Sequence, residues 1–132
     1  MVLDEELETR SAIHIAEQYR KQKRDQEKEK QQTAIDIVLS TPSLARTVTL
    51  IRDYINETHR KCFTYNSIKS FASRVGFYRE FTDRTLDRCV RKLAELGILY
   101  RFRAGYGGRL VLFCPTRVFY LVLGRLVSGS CS

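Results

Sequence analysis

The hydrophobic period changes in the middle of TDRTLDRCVRKLAELGILYRF, residues 82–102, and that change constrains the fold more than any other feature of the chain. Up to Gly97 the apolar residues recur at helical spacing. With Arg84 at zero on a helical wheel, Leu86, Cys89, Val90, Leu93 and Leu96 fall between roughly 120° and 240°. Arg88, Arg91 and Lys92 fall within roughly 80° of Arg84, on the opposite side. After Gly97, Ile98, Tyr100 and Phe102 alternate with Leu99, Arg101 and Arg103, which is the period of a strand. AGYGG reads as a turn and RLVLFC as a second strand. A β-hairpin is therefore predicted over residues 98–115, ended by Pro115.

A helix with two such opposed faces docks its apolar side, so Arg84, Thr85, Arg88, Arg91 and Lys92 are expected outward. Glu95 is the one acid near the middle of that stripe. Asp87 lies on its edge, within reach of Arg84 or Arg91. Cys89 belongs to the apolar face and is expected in the core.

Upstream, residues 4–39 lack Gly and Pro and are rich in Glu, Lys, Gln and Ala, which predicts a long helix. Within it YRKQKRDQEKEKQQ, residues 19–32, has no aliphatic side chain but many opposite charges three or four apart. No a/d heptad runs through it, so it reads as a solvated helix or a partly disordered arm, or as a basic arm that touches phosphate or a partner, and not as a coiled coil. Ile35, Val38 and Leu39 are candidates to pack on the domain. Ser40 or Thr41 can cap a new helix with Pro42 in its first turn, which sets a boundary near residue 41. The chain thus divides into a charged helical extension, 1–41, and a domain, 42–132.

In the domain, residues 42–60 form a helix with Leu44, Val48, Ile51 and Ile55 on one face. Residues 62–76 read as a short extended piece and a helix carrying Ile68, Phe71, Ala72 and Val75, stopped by Gly76. Thr82 can cap the arginine-bearing helix, and Thr116 a last one, RVFYLVLGRLV. That last helix is apolar on nearly every side and needs cover on more than one face. Val118, Phe119, Leu121, Val122 and Leu126 are the candidates for a dimer interface.

Charge separates the same two segments. Residues 1–43 carry seven Lys/Arg and nine Asp/Glu, a net of −2, while residues 44–132 carry sixteen and six, a net of +10. A compact basic domain points to nucleic acid or an acidic membrane surface. The start, MVLDEELETR, is acidic where a signal peptide would be basic and then apolar. No apolar run approaches the ~18 residues of a membrane span. The expected location is intracellular, cytoplasmic and nucleoid-associated or nuclear, with no membrane partner.

The cysteines, Cys62, Cys89, Cys114 and Cys131, form no CxxC pair, and His14 and His59 have no Cys at ligand spacing, so no metal site is expected. In a reducing compartment they read as buried or free thiols. GYGG lacks the GK[ST] of a phosphate loop and precedes a strand. No Ser-His-Asp, Cys-His or close carboxylate pair recurs, so neither an enzyme nor a cofactor is expected.

RTLDRCVRKLAELGIL, the basic strand YRFR, the tip AGYGGR and the return strand LVLFCP together resemble the winged-helix (winged helix-turn-helix) superfamily, over about residues 44–115. The resemblance implies a mainly α fold with a small β-hairpin (α+β), here with an N-terminal helical extension and a C-terminal apolar helix. It implies a third helix in the major groove of double-stranded DNA and a wing along the backbone or minor groove. Carried over, Arg84, Thr85 and Arg88 would face base edges. Arg91 and Lys92, with Tyr65, Asn66 and Lys69, would hold phosphates. Arg101, Arg103, Tyr106 and Arg109 would be the wing contacts, and glycines would let the tip approach closely. One departure is the link of residues 76–81, longer than the turn of a strict helix-turn-helix. The function implied is sequence-specific DNA binding by a small homodimeric transcriptional regulator. A replication or plasmid-maintenance factor is the alternative within nucleic-acid work, and a protein–protein adaptor the alternative outside it.

Overall fold

The structure, a computed structural model, describes the backbone of residues 2–130 and the side chains of residues 11–127. The element order is α1 (Val2–Ser40), α2 (Pro42–Thr58), α3 (Tyr65–Arg74), α4 (Asp83–Glu95), β1 (Leu99–Ala104), β2 (Leu110–Pro115) and α5 (Arg117–Ser130). Short 3-10 turns at Phe77–Arg79 and Tyr106–Gly108 lie between α3 and α4 and at the hairpin tip. The class is the expected one, mainly helical with an antiparallel two-stranded hairpin. No single helix among the described residues is long and apolar enough to cross a membrane.

α1 ends at Ser40, beside the boundary expected at residue 41. Packing divides the chain earlier: one compact unit runs to Thr33 and the other starts at Ala34. The reason is local. Residues 11–33 are exposed throughout, whereas Ala34, Ile35 and Val38 are buried in the core of the second unit. Leu39, also a candidate for packing, is exposed.

In the second unit, α2 buries Leu44, Val48 and Ile51 as expected, together with Leu50 and Tyr54, while Ile55 packs at the margin. Pro42 occupies the first turn of α2 and Thr41 precedes it, without a side-chain capping bond. α3 is capped reciprocally. Thr64 Oγ1 accepts from the Ser67 amide at 3.2 Å, and Ser67 Oγ accepts from the Thr64 amide at 2.9 Å. Ile68, Phe71 and Ala72 are buried; Val75, expected with them, is exposed as the helix ends. Gly76 then takes φ +81°, where an L side chain is strained. The long link that follows is held from inside by Phe77, which is 1% exposed and packs at 5.3 Å from the Phe81 ring.

α4 ends in a Schellman motif. The Gly97 amide donates to the Ala94 carbonyl at 3.1 Å and the Ile98 amide to the Leu93 carbonyl at 2.9 Å. Gly97 supplies the φ of +77° this requires, and Leu93 and Ile98 are both fully buried. The chain therefore leaves α4 straight into β1. β1 pairs with β2 from Leu99↔Pro115 to Ala104↔Leu110. Thr116, expected to cap α5, turns back instead. Its hydroxyl lies 2.7 Å from the Gly97 carbonyl and 2.9 Å from that of Ile98, closing the base of the hairpin.

The free-thiol expectation fails at two of the four cysteines: Cys62 and Cys114 form a disulfide. The backbone explains it. Phe63 and Phe113 exchange both amide–carbonyl bonds at 2.9 Å, an antiparallel bridge beside β2. One step outward, Cys62 faces Cys114 as a non-hydrogen-bonded pair, where Cα atoms approach to about 4.5 Å. The observed separation is 4.4 Å. Cys89 is a buried free thiol on the apolar face of α4, as expected. Cys131 lies outside the described residues.

Candidate nucleic-acid interface

α4 is a well-specified helix. Thr82 Oγ1 accepts from the Thr85 amide at 3.2 Å, and Asp83 places a negative charge in the first turn, where the helix dipole favours it. Leu86, Cys89, Val90 and Leu93 are buried. That leaves Arg84, Arg88, Arg91 and Lys92 exposed, as the wheel requires. With Asp87 and Glu95 these four line one shallow concavity on the outer side of the helix. Lys92 reaches Glu95 at 3.9 Å. Arg84, Arg88 and Arg91 form no ion pair among the described residues.

Thr85 is only half-exposed, and its hydroxyl is engaged at 3.0 Å with that of Thr82. It serves the cap before it could serve a base.

The start of α3 differs from expectation. Asn66 is exposed. Lys69 is held by two acids, at 3.6 Å from Asp83 and 3.4 Å from Asp87, so its charge is already met within the chain. Asp87 therefore pairs with Lys69 and not with Arg84 or Arg91. Its Oδ1 accepts no hydrogen bond; the Lys69 ammonium is its charge partner. Desolvation pulls the Lys69 pKa down, but the neighbouring carboxylates of Asp87 and Asp83 outweigh it and leave the value above the ordinary 10.5. Tyr78 completes the cluster by donating its hydroxyl to Asp83 Oδ1 at 2.7 Å. Burial first, and then Asp83, push its pKa well above the ordinary range. Tyr65 is half-buried, edge-to-face with Phe113 at a ring-centroid separation of 5.0 Å, and its hydroxyl oxygen is buried without a partner. Burial of the Tyr65 hydroxyl and the pairing of the Lys69 charge with two carboxylates set both apart from an open phosphate contact.

In the hairpin, Arg101, Arg103, Tyr106 and Arg109 are all exposed, Tyr106 completely. Gly105, Gly107 and Gly108 all have positive φ, so the tip is a backbone turn with one projecting side chain. The three arginines form no ion pair among the described residues. Two residues that sequence reasoning passed over stand out on β1. Tyr100 is 62% exposed and stacks on Phe102 with ring centroids 5.9 Å apart. The alternation in YRFR is the signal that could have found them. It puts both aromatics on one face, and the core takes only Ile98 and Leu99 before the strand leaves it.

In α5, Val118, Phe119 and Val122 are buried within this chain and are not free to line an interface. Leu121 is exposed and Leu126 half-buried. Among the described residues no cluster of three His, Cys, Asp or Glu side chains is placed to hold a metal.

No family model, curated protein or solved structure matches this chain.

Proposed function

We propose that residues 42–132 are a winged-helix module that binds double-stranded DNA, with α4 as the reading helix and β1–β2 as the wing. The observation that carries this reading is the exposed, unpaired set Arg84, Arg88 and Arg91 on one face of α4, in a segment of net charge +10. Three uncompensated guanidiniums on a helix face repel one another, and a polyanion relieves that repulsion. Arg also matches guanine O6 and N7 in a bidentate way. Arg84 and Arg88 read bases in this proposal. Arg91, Lys92, Asn66, Arg101, Arg103 and Arg109 hold phosphates, and Lys69 and Tyr65 are removed from that set. The role is that of a small transcriptional regulator, with no catalytic step and no cofactor. Pairing of two copies belongs to the same reading, with Leu121 and Leu126 left from the five candidates, and light scattering at rising concentration tests it.

The test is duplex binding by fluorescence anisotropy with a selected and a random sequence. Arg84→Ala and Arg88→Ala each lose about 1–3 kcal/mol on the selected duplex and narrow its margin over the random one. Arg103→Ala and Arg109→Ala weaken both duplexes alike and flatten the salt dependence. A wild-type protein that binds no duplex at low salt rejects the proposal.

A further inference from the structure

The two faces of the hairpin differ. Side chains alternate along a strand, so Tyr100 and Phe102 share one face of β1, and the register places Cys114 and Leu112 directly across from them. Leu110, opposite Ala104, extends the same face and is 46% exposed. Arg101 and Arg103 lie on the other face of the same strand, opposite Phe113 and Val111. β1 is an edge strand, since β2 separates it from the Phe63 bridge. The molecule therefore presents an aromatic step on one side of an exposed ribbon and free guanidiniums on the other.

A large aromatic left 62% exposed and stacked only on its neighbour is half of a stacking site. Its occupant follows from charge. A second copy would bring Arg101 and Arg103 against their own like charges, and charged edge strands resist strand addition. A flexible polyanion with planar bases suits both faces, because it can stack on the rings while its phosphates meet the arginines. A paired base cannot reach a ring face, because its own faces are covered by neighbouring pairs.

We propose that the Tyr100–Phe102 face binds unpaired nucleobases of single-stranded DNA, with Arg101 and Arg103 as the adjoining phosphate contacts. The site goes beyond the duplex reading and uses different base-contacting side chains, so the two can fail separately. Such platforms combine aromatic stacking with a basic track and tolerate any sequence.

The experiment measures anisotropy of a labelled oligo(dT) of about 12 nucleotides, a typical site size for one stacking module, and of a blunt duplex. Tyr100→Ala is expected to weaken single-strand binding about tenfold and leave duplex binding within about twofold, while Tyr100→Phe keeps both. Arg84→Ala/Arg88→Ala is expected to do the reverse, weakening the duplex alone. Irradiation of wild type with a bromodeoxyuridine-substituted strand should cross-link Tyr100 or Phe102, mapped by mass spectrometry. The proposal is overturned if wild type does not bind the single strand at low salt, or if Tyr100→Ala binds it unchanged. It is also overturned if a folded Tyr100→Ala loses both ligands equally, or if cross-links fall only on α4. Loss of duplex binding alone in wild type would sink the duplex reading and leave this one standing.

Discussion

Lys69 and Arg88 sit on the solvent sides of neighbouring helices and carry the same charge, yet they are in opposite situations. Lys69 is ion-paired with Asp83 and Asp87, and its charge is answered inside the molecule. Arg88 shares its face with Arg84 and Arg91, and none of the three has an ion pair among the described residues. At the Thr64 cap, the Phe77 turn, the Lys69–Asp83–Asp87 cluster and the disulfide, side chains are engaged within the chain, and substitutions there should cost stability. On the outer face of α4 and on the hairpin they are left open, and substitutions there should cost binding and little stability.

The largest effect expected on the satisfied side is at Phe77. Phe77→Ala empties the centre of the link between α3 and α4 and should cost about 3–5 kcal/mol in urea unfolding. If the cost stays below about 1 kcal/mol, the link is not what positions α4. The disulfide comes next. Cys62→Ser/Cys114→Ser releases a long closed loop and should lower stability by about 2–4 kcal/mol while the Phe63–Phe113 backbone bridge persists. An unchanged denaturation midpoint under reducing conditions would show that the ladder alone holds the hairpin base.

Lys69 tests the contrast itself. If it acts only as counter-ion to two acids, Lys69→Met should cost up to about 1 kcal/mol of stability, partly offset by adding Asp87→Asn, and leave duplex binding within about twofold. If it held a phosphate, Lys69→Met would instead weaken duplex binding by about 1 kcal/mol and flatten its salt dependence. The smallest effect is at alkaline pH. The folded pKa values of Lys69 and Tyr78 are both raised, so folding favours their protonated forms. Their contribution is complete below the ordinary tyrosine value of 10.0 and fades as pH rises beyond it, for Lys69 above 10.5. Unfolding midpoints should fall more steeply above about pH 10 for wild type than for Lys69→Met/Tyr78→Phe.

Much of this was legible in the residues. Apart from Thr85, which is only half-exposed, the wheel over residues 84–96 separates the buried from the exposed positions of α4, because one amphipathic helix has only one way to dock. Gly97 and the alternation after it mark the passage from helix to strand, because only glycine adopts that positive φ without strain. The start of α3 was less legible. Tyr65 and Lys69 look like surface donors in sequence, but a turn of chain from α4 brings Asp83 and Asp87 against one, and β2 brings Phe113 against the other.

The apolar helix at the C-terminus shows the same limit. Its composition demands cover and cannot say which residues the chain covers itself; packing takes Val118, Phe119 and Val122 and leaves Tyr120 and Leu121 outside. By itself, the sequence determined the helices, the hairpin and the face of α4 that carries its arginines, because those follow from periodicity and backbone preference within a dozen residues. Tertiary structure alone decided that Cys62 meets Cys114, that Lys69 is ion-paired and that Tyr100 is left uncovered. Each of those depends on which distant segment arrives alongside, and local spacing carries no information about that.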